Sequence, residues 1–320
     1  MNKSIKSYPS SFIYLSLIFF SIIIIISSNN WFFTWMGMEL SLFGFLPIFT
    51  FNQTTTEGLM KYFLMQASGS AMFLISCLST LNNIVVLTIL GMVMKLGIFP
   101  FFQWMPAVMV SLSWTGCMLL TTLQKVVPLL ILANTNNPDM VFICSTLSIM
   151  ISSVLGFNQS LMKPLMAYSS ISFTSWIIMA LWFNLTFGML FIFFYFVLTL
   201  YLFSIFKSNN TMTIYQRYGN SKNQKNKNQS FMILSGMPPF SLFFFKMYMF
   251  YLMINMPLIM IILIVSTYIS MYYYLRVAIS SMPHTLIMVK DSKMGHSNFP
   301  NSKINMIHYL PILYLATYIY

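Results

Sequence analysis

Long apolar runs alternate with short polar interruptions from one end of this chain to the other. The runs can be drawn over 9–27, 31–51, 59–80, 83–102, 110–133, 139–157, 164–183, 185–206, 231–252, 254–279 and 304–320. A helix of roughly 20 residues rises about 30 Å, the thickness of a bilayer's hydrocarbon core. The pattern therefore predicts an all-α, polytopic membrane helix bundle of about eleven transmembrane helices, with residues 1–320 as a single transmembrane domain. Interruptions such as Ser28–Asn30, Leu81–Asn83 and Asn134–Asp139 are rich in Asn, Ser and Pro, which suits tight turns between antiparallel neighbours. Two polar connections are longer, near 207–230 and 280–303, and the first holds the low-complexity stretch "NSKNQKNKNQS". The first run, Ser11–Ser28, shows no small-residue cleavage site before Trp31 and is expected to remain as a helix.

Composition sharpens this picture. Hydrophobic residues make up 58% of the 320 and charged residues only 6%, so water is not the solvent of most of the chain. The formal net charge is +12, which in a soluble protein would point to nucleic acid; here the cations sort by position instead. With the spans numbered in order, Lys3, Lys6, Lys61, Lys163, Lys207, Arg217, Lys222, Lys225, Lys227, Arg276, Lys290, Lys293 and Lys303 fall at the N-terminus or in connections after even-numbered spans. None falls in a connection after an odd-numbered span. By the positive-inside rule the N-terminus and the even connections face the cytoplasm, or the matrix of a mitochondrion. Cys77, Cys117 and Cys144 lie in separate apolar runs without metal-ligand spacing and read as small buried hydrophobes. Thirty methionines and 32 phenylalanines carry the bias of an AT-rich, organelle-encoded gene.

That sorting places thirteen of the sixteen cations and leaves Lys95, Lys125 and Lys246 inside spans, together with Glu39 in "WMGMELSLF". As drawn, each lies at least six residues from either end of its helix, about 9 Å of rise, too far for a lysine stem to reach the interface fully. Insertion scales set a charge at the helix centre at about 2.5 to 3.5 kcal/mol, so the four together cost near ~10 kcal/mol unless they find partners or internal water. One carboxylate neutralises one lysine, leaving a surplus of two positive charges. At about 10 Å and an effective dielectric near 20, two such charges repel by roughly 1.7 kcal/mol. Coupled amines of this kind exchange protons as neighbours change charge. A buried ion pair, or a lysine capping the carbonyls of a broken helix, accounts for any one of them without function. Local sequence supplies polar surroundings: Pro100 and Pro106 follow Lys95, Thr121, Thr122, Gln124 and Pro128 flank Lys125, and Gly236, Pro238 and Pro239 precede Lys246. Interrupted helices carrying ionisable residues are the membrane pattern for ion pathways.

The stretches "KYFLMQASGSAMFL" (Lys61–Leu74), "KLGIFPFFQWMP" (Lys95–Pro106), "LLTTLQKVVPL" (Leu119–Leu129), "FNQSLMKPLMAYSSISFTSW" (Phe157–Trp176) and "SGMPPFSLFFFKM" (Ser235–Met247) resemble, in order and spacing, the subunit 2 family of NADH dehydrogenase, an antiporter-like membrane subunit of respiratory complex I. The likeness is good over spans two to nine and poor at both ends. It implies an antiporter-like, proton-translocating bundle in which Glu39 pairs with Lys95, Lys125 is central and Lys246 is distal, the four joined by internal water. It further implies a multi-pass protein of the mitochondrial inner membrane with its N-terminus on the matrix side. Other membrane subunits of the complex, the lipid bilayer and transported protons would be its partners, with no nucleic acid. The resemblance places no cofactor on this chain; NADH, FMN, iron–sulfur clusters and ubiquinone would belong to partner subunits. Departures from the family pattern stand at Gln103 and Phe173, where relatives often carry histidine, and at Phe243, where glycine is usual. His284, His296 and His308 lie in or near the last polar connection, where loop solvation is the simplest role.

Rival readings make different demands. A stand-alone cation/proton antiporter would call for paired inverted repeats and more than one buried carboxylate. A membrane transferase would want clustered acids for Mg²⁺, whereas Glu57, Asp139 and Asp291 are scattered over separate connections. A pure scaffold leaves the three lysines unexplained.

Overall fold

The computed structural model describes residues 9–280, apart from 29, 52–55, 79–83, 136–137, 215–220 and 239. The eleventh run at 304–320, the connection 280–303 beyond Ser280, and with them His284, His296, His308 and Asp291, lie outside the described residues, as do Lys3, Lys6, Arg217 and Pro239. Described residues form thirteen helices and one isolated antiparallel bridge, Leu161 with Thr213. The described residues divide into two compact units, those up to 159 with 163–208, and 160–162 with those from 209 onward.

In the first unit, α1 (Pro9–Ser27) and α2 (Trp31–Phe51) match the first two drawn spans end to end and pack against each other. Glycine makes that approach close: a Cβ on Gly37 would lie 2.4 Å from Ile25 Cγ1, and one on Gly44, seven residues on, 3.0 Å from Ile18 Cγ1. The outward face of α1 exposes Phe12, Phe19, Ile23 and Ile26, the signature of a helix whose outer solvent is hydrocarbon. Next come α3 (Thr56–Leu78) and α4 (Ile84–Leu96), which pack together, and then three short helices, α5 (Trp104–Ser111), α6 (Trp114–Thr121) and α7 (Leu123–Ala133). After them run α8 (Pro138–Phe157), α9 (Met162–Phe183) and α10 (Leu185–Asn209). Every residue of α9 from Ser169 to Leu181 is buried, so this helix is core on all sides. By length and apolar character, α6 with α7, α8, α9, α10 and α13 (Pro257–Ser280) are the five described segments able to cross a membrane unaided.

The drawn spans differ from the structure where helices break. The run 83–102 ends as a helix at Leu96, and 110–133 is a sequence of pieces that starts at Trp104 and breaks twice. Pro106 does not break anything: it sits in the first turn of α5, where its missing N–H has no helical partner to lose. Pro128 lies inside α7, and there the interruption falls upstream, at Thr122.

The second unit contains α11 (Ser221–Ser235), α12 (Ser241–Leu252) and α13, with α11 packed on both of the others. Here a correction is required. The low-complexity stretch expected as part of a polar connection is helical from Ser221 onward, and Lys227, sorted among the solvated connection cations, is 0% exposed. Composition misled because Lys, Gln and Asn are tolerated in a helix once tertiary packing covers one face.

Candidate functional site

Lys95 and Lys125 lie at helix breaks, which replaces the expectation that they sit mid-helix, whereas Lys246 is mid-helix in α12 and returns its amine to the break before it. Lys95 is the penultimate residue of α4, Lys125 the third of α7, and Lys246 the sixth of α12, where its stem folds back to the break before it. They are 7%, 3% and 6% exposed.

The α4 end is built by its own sequence. Gly97 takes φ +69° and donates its N–H to Met94 O at 3.2 Å, while Ile98 N–H reaches Val93 O at 3.1 Å. This pair of bonds is a Schellman stop, which needs a left-handed residue and so favours glycine. Two side chains complete it: Trp104 Nε1 donates to Met94 O at 3.1 Å and Gln66 Nε2 to Lys95 O at 3.1 Å. Lys95 thus occupies the last turn, where the helix dipole is negative and favours a cation. Its stem runs against α3 so closely that a Cβ on Gly69 would lie 2.8 Å from Lys95 Cγ and 2.9 Å from Gly91 O.

Glu39 on α2 is half-buried and accepts a hydrogen bond from Ser70 Oγ, the residue after Gly69. Among the described residues no ion pair within 4.0 Å joins it to Lys95, whereas Lys61 pairs with Glu57 at the exposed start of α3. Ser70 thus holds the acid while Gly69, the residue before it, packs on the Lys95 stem, and the two charged groups are not locked in a salt bridge.

Lys125 follows the α6–α7 break. Thr122 leaves helical geometry at φ −114°, ψ −84°, and Thr121 and Thr122 turn their hydroxyls back on α6, donating to Cys117 O at 2.9 Å and Met118 O at 2.7 Å. Gln124 Nε2 bonds Ser41 O on α2 at 3.2 Å, tying this break to the helix that carries Glu39. Lys125 Nζ donates to Ser170 O on α9 at 3.1 Å, and Thr174 Oγ1 donates to the same oxygen at 2.9 Å. A hydroxyl seam continues beside it, where Ser148 on α8 meets Ser175 on α9. Among the described residues Glu39 is the one carboxylate that is neither held by a lysine, as Glu57 is by Lys61, nor exposed at a helix start, as Asp139 is in the first turn of α8.

In the second unit Gly236, at φ +71°, ends α11, its N–H bonding Ile233 O at 3.0 Å. The chain then crosses to α12, whose Lys246 returns its Nζ to Ser235 O at 3.3 Å. That carbonyl is one of those a helix C-terminus leaves without a backbone donor.

Sequence reasoning missed Lys163, placed among the connection cations. It opens α9, donates to Val110 O at 3.1 Å and to Leu112 O at 2.5 Å, and lies 5.7 Å from the Trp114 ring centre. The α5–α6 break it serves had no proline or glycine at the cut to announce it. Of the departures from the family pattern, Gln103 is exposed and Phe173 is buried in a stack on Tyr195 at 4.9 Å, so neither position offers a titrating group.

Residues 78–271 match the family described as NADH:quinone oxidoreductase/Mrp antiporter, TM. Over 299 residues the chain is 34% identical to NADH-ubiquinone oxidoreductase chain 2 of Lumbricus terrestris, covering 88% of this chain and 89% of that one. The chain belongs to the NADH-ubiquinone oxidoreductase chain 2 family. The corresponding protein of Anopheles gambiae is 32% identical over 324 residues, 93% of each chain. Among solved structures, a chain of respiratory complex I from Thermus thermophilus with bound aureothin superposes with TM-score 0.78 at 17% identity, covering 96% of this chain and 77% of that one. A chain of the archaeal membrane-bound sulfane sulfur reductase gives 0.76 at 16% identity, covering 98% and 74%. These structural likenesses establish the antiporter-like helical fold.

Proposed function

We propose that this chain is the proton-translocating membrane subunit of an NADH:ubiquinone oxidoreductase, and that Glu39, Lys95, Lys125 and Lys246 carry the protons. The family supports the first part and the breaks support the second. One observation carries the reading: among the described residues the buried amine of Lys125 bonds a backbone carbonyl, Ser170 O, rather than a carboxylate. A carboxylate would hold the ammonium form in place, whereas a carbonyl accepts a hydrogen bond from either the ammonium or the neutral amine. Such sites can release and regain a proton without losing their partner.

On this reading NADH oxidation and quinone reduction occur on partner subunits, which hold NADH, FMN, iron–sulfur clusters and ubiquinone. Displacement of charge arriving from them shifts the balance between Glu39 and Lys95. Repulsion between a charged Lys95 and a charged Lys125 then sets the proton preference of Lys125. Lys246 is the fourth carrier, on its own interrupted helix. Neighbouring membrane subunits flank the chain in the mitochondrial inner membrane, with the N-terminus on the matrix side, as the charge sorting supports.

Lys125→Met in the assembled complex tests this. NADH:quinone activity of the solubilised assembly is expected to persist while protons translocated per NADH fall; an unchanged proton yield would refute the assignment.

A further inference from the structure

The second unit buries one more cation. Lys227 is 0% exposed and lies eight residues before Ser235 on α11, about 12 Å along the helix axis. Positions 227, 231 and 235 share one face, and Ser235 O at the far end of that face holds the Lys246 ammonium. Of the residues between, Asn228 and Ser230 are buried polar groups beside the buried apolar Phe231, Ile233 and Leu234, and Ser235 is buried at the end. On α13, packed against α11, Ser270 and Tyr274 are buried too, and the Tyr274 ring lies 6.1 Å from that of Phe231. At the break itself Ser241 Oγ is fully buried and meets no protein hydrogen-bond partner among the described residues, the kind of hydroxyl that ordered water satisfies.

A lysine is costly to bury, and a helix needing only packing here would use Leu or Met. We propose that Lys227 is a further proton carrier, standing between the polar N-terminal end of α11 and Lys246. The proposal rests on the reading of Lys246 given above and extends its path. Lys227 as ammonium releases one proton into the hydroxyls and water along α11, and the neutral Lys246 amine takes one from the other end. Lys227, now a neutral amine, regains a proton from the aqueous side at the Lys- and Asn-rich start of α11. N–H and O–H bonds alone are made and broken, in equal number, and no electron moves.

The test uses the whole assembly reconstituted in liposomes, with protons translocated per NADH oxidised as the readout, in Lys227→Met, Lys227→Arg and Lys227→His, and in Lys246→Met alongside. Arginine keeps the charge but does not give up its proton, whereas histidine exchanges one readily. Lys227→Met and Lys227→Arg are expected to lower the proton yield by the same fraction as Lys246→Met, with Lys227→His retaining more of it. A native yield in Lys227→Arg would make Lys227 a fixed structural charge and overturn the proposal. Full yield in all Lys227 variants with a loss in Lys246→Met would sink this proposal alone; full yield in Lys246→Met would sink the earlier reading as well. Should Lys227→Met fail to assemble, the Arg and His pair decides.

Discussion

Lys246 reaches back across the α11–α12 break to place its Nζ 3.3 Å from the carbonyl oxygen of Ser235, the residue that ends α11. The same logic recurs in the first unit, where Lys163 bonds Val110 O and Leu112 O at the α5–α6 break, while Lys125 bonds Ser170 O inside the unbroken α9. In hydrocarbon a freed carbonyl must find a donor inside the protein, and a buried ammonium must find acceptors. Each solves the other's problem.

Gly236 makes the Lys246 contact possible. A Cβ there would lie 3.1 Å from Lys246 Nζ and 3.3 Å from its Cδ and Cε, and the residue's φ of +71° is left-handed. Gly236→Ala is expected to destabilise the unit by about 1–2 kcal/mol from backbone strain and to displace the lysine head. Proton yield per NADH should fall further than in Gly44→Ala, whose added methyl meets the α1–α2 contact instead. Equal yields in the two variants would contradict this geometry.

Gly69 and Gly91 let α3 and α4 touch along the Lys95 stem. Gly69→Ala would set a methyl 2.9 Å from Gly91 O and 2.8 Å from Lys95 Cγ. Overpacking of this kind costs about 1–3 kcal/mol, so the assembled complex should inactivate at a lower temperature. Unaltered thermal inactivation would show that the two helices are not held this closely.

Lys163 separates structural lysines from proton carriers. Losing its bonds to Val110 O and Leu112 O and its position by the Trp114 ring should cost about 1.5–3 kcal/mol, the range for hydrogen bonds to charged groups. Lys163→Met is thus expected to lower thermal stability while leaving protons per NADH unchanged, the reverse of Lys125→Met. Coincident losses in both variants would argue that capping, not proton transfer, explains Lys125.

Trp104→Phe keeps an aromatic ring beside Tyr62, now 6.2 Å away, and removes the Nε1 bond to Met94 O. Because Gly97 N–H still serves that carbonyl, the loss should be modest, about 0.5–1.5 kcal/mol. A thermal scan of the assembled complex measures it, and a collapse of the fold would show that the tryptophan does more than cap α4.

By itself the sequence determined the solvent and the outline. Apolar run length marks a helix that must satisfy its backbone internally, so α1, α2, α8, α9, α10 and α13 lie within a few residues of the spans drawn for them. Pro100 marked an interruption after Lys95, and Gly236 with Pro238 the stop before Lys246, since a left-handed residue or a missing N–H is a local property; the stop at Gly97 itself went unmarked. Local chemistry does not specify which distant carbonyl a lysine finds. Only tertiary structure set Lys125 on Ser170 O forty-five residues away, put Ser70 beside Glu39, drew Lys163 to the end of α5, and covered Lys227 in a stretch whose composition reads as a solvated loop. The physical reason is that burial and hydrogen-bond partners belong to the packed neighbours of a residue, and those neighbours come from elsewhere in the chain.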